Sequence, residues 1–350
     1  MNEILKHPIL DQPICDRTAW TSAELEADRA WRYTMTSVEC DEVFSATMAL
    51  RAKGMRAEDI TREQFDLPTL QPTLAELAQE IEHGRGVAVV RGLPVDAYDD
   101  TALCLAYWGI VLHFGTPMSQ NSKGQRMAEV SDRGNDLSLT NTRGYSTSAR
   151  LGPHTDMCEM TSLLCVQTAL EGGESQVASA MTVFNRLLDE HPEHLEVLFR
   201  GFYHDLRGEG PTASIDEVTH HRVPVYSYHE GRLSFSFNPK TSKNGALKRG
   251  DAFLPEEQAA LDCVSDLAAQ PELSHSMWLE RGDIQIVNNH SVLHSRNEYK
   301  DALDQGRRRK LYRIWMQSNL SRALTPEFAD RYNTGPRGGV AVGDGARYEF

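Results

Sequence analysis

His154 and Asp156 stand two residues apart, after Leu151-Gly152-Pro153 and ahead of the apolar run 161–166. In extended backbone, residues at i and i+2 point to the same side, so this imidazole and this carboxylate can converge on one metal ion. A third ligand must come from elsewhere. His294 follows the strand-like segment Gly282-Asp283-Ile284-Gln285-Ile286-Val287-Asn288-Asn289 and lies 294 − 156 = 138 residues past Asp156. His290 is a rival, because four residues along a strand is again the same face. Two histidines and one carboxylate leave coordination positions open, an arrangement suited to non-haem Fe(II) and oxygen activation.

With 13 histidines in the chain, a lone His-x-acid match carries little weight. Two further matches, His191-Pro192-Glu193 and His194-Leu195-Glu196, fall in the charged stretch Leu187 to Phe199, whose apolar residues recur at helical spacing. They read as a solvated helix face.

The elements that must position these residues change character along the chain. Residues 1–85 read as helical, with one long helix from Thr21 to Lys53 and a second from Thr73 to Glu82. Val87 to Val90 is a short apolar run of buried-strand type, followed by a helix from Thr101 to His113. Strands are predicted at Met127–Val130, Thr161–Thr168, Gln176–Ser179, Ile284–Asn288 and Lys310–Gln317, and a hairpin across His229-Glu230-Gly231. Helices interrupt them from Thr182 to Arg200, broken at Pro192, and from Pro255 to Ala269. The glycine-rich stretch from Thr334 to Gly345 reads as a mobile tail. Helices first and then many strands predict a mainly β, α+β fold: a double-stranded β-helix, or jelly roll, over 86–317 with an N-terminal helical buttress, within one domain spanning 1–350.

Composition agrees with such a chain. Of 350 residues, 40% are hydrophobic and 25% charged, enough for a sizeable core. The balance of 36 basic against 50 acidic residues, −14 net, argues against nucleic acid or an anionic membrane as the main partner. No apolar stretch reaches the roughly 18 residues of a spanning helix, and no secretory leader is evident, so a cytoplasmic protein is expected. The six cysteines form no Cys-x-x-Cys pair and read as reduced thiols.

Four segments, in this order, carry a resemblance to a known family: Gly152-Pro153-His154-Thr155-Asp156; Gly172-Gly173-Glu174-Ser175; Gly282-Asp283 through Asn289 to His294; and Arg309-Lys310-Leu311-Tyr312-Arg313. Together they resemble the Fe(II)/2-oxoglutarate-dependent oxygenases of the taurine dioxygenase (TauD/TfdA, clavaminate synthase-like) superfamily. The resemblance covers roughly Val87 to Gln317. It implies that His154, Asp156 and His294 are the metal ligands, since the family's distal histidine follows the Asn of an Asn-Asn-type motif by five residues. It also implies that Arg309, fifteen residues past His294, and the Ser175 hydroxyl hold the distal carboxylate of 2-oxoglutarate. Guanidinium suits that task by donating two parallel charge-assisted hydrogen bonds.

The resemblance further implies an oxidoreductase that uses Fe(II), 2-oxoglutarate and O2, and releases succinate and CO2. Relatives that halogenate have a small residue where this chain has Asp156, so C–H oxidation, with hydroxylation as the default outcome, is expected. Desaturation or cyclisation would use the same ligands. Arg313 shares the strand face of Arg309 and in several relatives binds an acidic group, which points to a small carboxylate-bearing substrate such as an amino acid or derivative. Gln120, Asn121, Tyr145 and Thr147, from the segment before the His-x-Asp motif, are the other candidate substrate residues. A homodimer through the N-terminal helices is a further expectation. The rival readings are a cupin-like metalloenzyme independent of 2-oxoglutarate and a jelly-roll binding protein without chemistry.

Overall fold

The computed structural model describes residues 8–135 and 146–343. Two sheets, antiparallel except for one parallel pair at an edge of the larger, form the core. The larger runs in the order Arg32–Thr34, Val87–Arg91, Ile284–Asn288, Met160–Gln167, Lys310–Ser318 and Gly115–Met118, with Met127–Val130 also pairing against Lys310–Ser318. The smaller runs Ser274–Met277, Ser175–Ser179, Val292–Arg296 and Leu151–His154. Sequence neighbours are mostly not sheet neighbours, as a jelly roll requires.

The central strands of the larger sheet read as continuous apolar runs because both of their faces are covered. Outside lies the helical layer: Ala88, Val90, Ile284, Ile286 and Ile314 join one cluster with Val43 and Leu50 of helix Ser37–Ala52, Leu74 and Ile81 of helix Gln71–His83, and Tyr107 and Ile110 of helix Asp100–Val111. A second cluster covers the smaller sheet. There Phe184, Leu187 and Leu198 pack on Leu261 and Val264 of helix Pro255–Ala269 and on Tyr226 and Phe235 of the Tyr226–His229/Arg232–Phe235 hairpin.

The N-terminal part departs from the expected single helix. Helix Ser22–Ala27 ends early, Arg32–Thr34 forms a strand paired in parallel with Val89–Arg91, and a new helix starts at Ser37. Two capping boxes mark the restarts: Thr21 with Glu24, and Thr36 with Glu39. The 1–85 segment therefore completes the larger sheet as well as buttressing it. Helix Pro239–Arg249 was not foreseen. It is polar, capped by Asn238, and Gly245 lets it lie on the Tyr203 carbonyl, 2.2 Å from where a Cβ would sit. The expected mobile tail is tied down as far as it is described. Arg337 binds Glu159 and the Arg322 carbonyl, Ala341 N donates to Glu209 O at 3.0 Å, and Gly343 N to Ser122 O at 2.9 Å.

Candidate active site

His154 closes the Leu151–His154 strand and is the direct cross-strand partner of His294 in Val292–Arg296. Their rings lie 4.4 Å apart, centroid to centroid. Asp156 lies just past the strand end, its Oδ2 4.0 Å from His294 Nε2. One ligand atom from each of His154, Asp156 and His294 falls within 4.8 Å of the other two. His290 is not among them. It is buried and points the other way, its Nδ1 accepting from Arg331 at 2.9 Å and its ring 5.4 Å from that of Phe328.

The loop carrying His154 and Asp156 is held from both sides. Thr155 N donates to Phe237 O and Phe237 N donates to Thr155 Oγ1, both at 2.8 Å, which fastens the loop to the start of helix Pro239–Arg249. Asn289 Oδ1 accepts from Asp156 N at 3.0 Å, while Asn289 Nδ2 donates to Thr161 Oγ1 at 3.1 Å and to Cys158 Sγ at 3.3 Å. Asp156 Oδ2 accepts from Thr161 Oγ1 at 2.9 Å and from Trp315 Nε1 at 2.8 Å, with Arg313 Nη1 at 3.7 Å. Gly152 O lies 2.9 Å from His154 Nδ1, so a proton on Nδ1 leaves Nε2 for a metal.

The electrostatics suit a cation. Burial opposes ionisation of Asp156, but Arg313, His294, His154 and the Thr161 hydroxyl outweigh it and hold the carboxyl well below its usual range. Burial first, and then His154, push His294 down to about 3, so it is a neutral imidazole. The His154 and His294 imidazoles and an ionised Asp156 carboxylate form a fitting donor set for Fe(II).

These residues open into a cavity of about 430 Å³ between the sheets. Alternation along Lys310–Ser318 puts Leu311, Arg313 and Trp315 on its wall, in line with Arg309 just before the strand. Ser175 and Arg296, cross-strand partners on the smaller sheet, line it opposite. Arg309 is only 6% exposed, yet its Nη1 has no hydrogen-bond partner. Its guanidinium lies 4.9 Å from the Tyr299 ring, and burial lowers its pKa. A buried, unsatisfied guanidinium facing a cavity is suited to an anion. The Gly172-Gly173 pair makes room for it: both are left-handed (φ +70° and +86°), and a Cβ on Gly173 would sit 3.3 Å from Arg309 Nε. The residues present therefore fit both a metal ion and the far carboxylate of 2-oxoglutarate.

The other candidate residues divide. Arg313 lines the cavity but is also fixed in place, its Nε donating to Gln120 Oε1 at 2.8 Å and its guanidinium 4.8 Å from the Trp315 ring. Gln120, Asn121 and Thr147 are not on the cavity wall. Gln120 is buried behind Arg313, Asn121 spends its amide on Gln125 Oε1 at 2.7 Å, and buried Thr147 offers its carbonyl to Arg296 Nη2 at 2.9 Å. Tyr145 lies outside the described residues. Sequence reasoning missed Trp315, Thr161 and the amide of Asn289, all of which grip Asp156 or its loop. Both Thr161 and Trp315 fell inside predicted strands; period-two alternation with Arg313 was the available signal for Trp315, whereas Thr161 owes its place to cross-strand pairing with Trp315.

A family model described as "Taurine catabolism dioxygenase TauD, TfdA family" matches residues 51–315. FR-33289 synthase of Streptomyces rubellomurinus is 32% identical over 312 residues, covering 88% of this chain and 91% of that protein. The taurine hydroxylase-like protein SAT17 of Stachybotrys chartarum is 27% identical over 326 residues, covering 89% and 82% respectively. Among solved structures, an asparagine oxygenase in complex with Fe(II), 3-hydroxyasparagine and succinate superposes with a TM-score of 0.66 at 16% identity, over 82% of this chain and 93% of that one. The non-heme iron oxygenase OrfP, with Fe, succinate and (3S)-hydroxy-L-Arg, gives 0.62 at 16%, over 83% and 95%. At that identity the two structures speak to the fold alone. By its family model and its curated relative, the chain belongs to the TauD/TfdA family, the Fe(II)- and 2-oxoglutarate-dependent dioxygenases that its motifs resemble.

Proposed function

We propose that the chain, as one oxygenase domain, holds Fe(II) through His154, Asp156 and His294, seats the distal carboxylate of 2-oxoglutarate on Arg309 and Ser175, and oxidises a C–H bond of a small carboxylate-bearing substrate, with hydroxylation as the default outcome. The observation that carries this is the pairing of a two-histidine, one-carboxylate cluster with a buried guanidinium whose Nη1 lacks a partner, both on one cavity. Fe(II) and 2-oxoglutarate, when bound, supply the oxygen-activating chemistry, with succinate and CO2 as co-products.

The wall charge supports an acidic substrate. Among the described residues, six cations line the cavity (Arg150, Arg207, Lys240, Arg296, Arg309 and Arg313) against one carboxylate, that of Asp156. Asp156 would serve the metal and 2-oxoglutarate would bring two charges of its own, and with Arg207 already 3.6 Å from Glu209 the wall still keeps a net positive field. That local field outweighs the screened net charge of the whole chain. An amino acid or related acid is the class this suits, and the asparagine and arginine derivatives held by the two structural neighbours belong to it.

The test is an anaerobic titration of the Fe(II)-loaded protein with 2-oxoglutarate, read by the visible charge-transfer band of the chelate. The band is expected in the wild type and absent in His294→Ala. Iron binding with no band would move the cupin-like reading ahead. Once the band is in hand, acidic amino acids can be ranked by how they perturb it.

A further inference from the structure

A second cluster of metal-ligating side chains lies away from the cavity. His191, His194 and Cys263 each offer a ligand atom, and the three atoms lie within 4.8 Å of one another, the same criterion that the active-site trio meets. None of the three lines the active-site cavity.

The pair of histidines is built by a corner rather than by the helix face that the spacing first suggests. Helix Ala180–Glu190 stops at His191, Pro192–His194 makes one tight turn, and helix Leu195–Arg200 follows. His194 N donates to His191 O at 3.1 Å, and the two rings face the same way, 6.0 Å apart and 25° from parallel. Cys263 comes from helix Pro255–Ala269, which packs on this corner through Leu261 and Val264 against Leu187, Leu195 and Leu198. Both halves of the cluster thus stand on one rigid apolar core. Glu193 lies between the histidines, its Oε1 3.7 Å from His191 Nδ1 and 3.9 Å from His194 Nε2.

We propose that His191, His194 and Cys263, with Glu193 closing the shell, form a second divalent-metal site of the zinc class, which pins the corner at Pro192 to helix Pro255–Ala269. Two imidazoles, one thiolate and a carboxylate make a borderline-soft set of the kind that selects Zn(II) in tetrahedral geometry. Bond lengths of about 2.0–2.3 Å place neighbouring ligand atoms roughly 3.5 Å apart, so the cluster closes by side-chain rotation of about 1 Å. Glu193 is 63% exposed at its side chain and has the freedom to turn inward. The local field favours a cation, because the carboxylates of Asp266, Glu193 and Glu190 surround the Cys263 thiol. Arg186, the neighbouring cation, is already paired with Glu190 and Glu272.

The site is tested with the metal-free full chain titrated with Co(II), which reports a thiolate ligand by a near-ultraviolet charge-transfer band. The wild type is expected to bind two equivalents with that band. Cys263→Ser and, independently, His194→Gln should bind one equivalent without it, and His154→Ala should bind one equivalent and keep it. A single equivalent in the wild type with no thiolate band overturns the proposal, and so does a band that survives Cys263→Ser. The thiolate band and its loss in Cys263→Ser are independent of turnover and of the assignment of the active-site metal.

Discussion

Thr161 and Trp315 are direct cross-strand partners, and both donate to the same oxygen, Oδ2 of Asp156, at 2.9 and 2.8 Å. The pair fixes the carboxylate plane before any ion arrives. Partners of this kind behind a metal ligand typically account for about 10–100-fold in affinity. Trp315→Phe keeps the ring that lies beside Arg313 but removes the donor. Fe(II) affinity, measured anaerobically by competition with a chelating dye, should fall by about tenfold or more. An unchanged affinity would show that Thr161 and the loop clamp suffice.

Arg309 and the proposed metal ligands should separate cleanly in their effects. His154→Ala or Asp156→Ala is expected to lose iron and turnover together. Arg309→Ala should keep iron while 2-oxoglutarate binding weakens by about two orders of magnitude, because a carboxylate would be buried without its charged partner. Arg309→Lys should recover only part of this, since an ammonium cannot form the two parallel bonds. Normal 2-oxoglutarate affinity in Arg309→Ala would assign the carboxylate to another of the wall arginines, with Arg296 the first to examine.

What was legible in the chain follows from how local the signals are. The His-Thr-Asp triplet, the Gly-Gly pair before Ser175 and the Arg309/Arg313 spacing are short local patterns, read partly from strand periodicity and partly from the family resemblance, and the structure brings all but Gln120, Asn121 and Thr147 of the described candidates to one cavity. The strand Arg32–Thr34 was not legible, because three residues owe their conformation to pairing with Val89–Arg91, far along the chain. Nor was helix Pro239–Arg249, whose polar sequence carries little amphipathic signal and depends on its Asn238 cap and Gly245 contact. The corner at Pro192 shows the converse. The proline itself marks the expected break, and the structure turns there between helices Ala180–Glu190 and Leu195–Arg200.

Glu82 joins the helical layer to the sheet that leads to His294. It is 2% exposed, and it accepts from Arg322 Nε at 2.9 Å, Arg232 Nη1 at 3.0 Å and Asn288 Nδ2 at 3.0 Å. Glu82→Gln leaves the buried Arg322 guanidinium without its counter-charge, which should cost about 3–5 kcal/mol in chemical denaturation. Arg232→Gln, at the more exposed end of the network, should cost far less. Equal losses in the two variants would mean that packing rather than charge governs this junction.

Acid sensitivity should trace to His204. It is buried, with Nδ1 2.8 Å from Thr241 Oγ1 at the start of the helix that supplies Lys240 to the cavity wall. Burial first, and then Arg331, Arg207 and His221, push its pKa from 6.5 down to about 3. Between those values the unfolded chain binds a proton that the folded chain refuses, so stability rises with pH across the window. The contribution is complete above 6.5 and is lost progressively as the pH falls towards 3. At pH 5 this amounts to roughly 2 kcal/mol relative to neutral pH, at about 1.4 kcal/mol per unit. His290 and His294, also buried and held well below their ordinary value, act in the same direction. Denaturation of the wild type and of His204→Asn at pH 7 and pH 5 measures the difference. The variant should be less stable at pH 7 and show a smaller drop on acidification, whereas an undiminished drop would assign the acid response to other groups, His290 first among them.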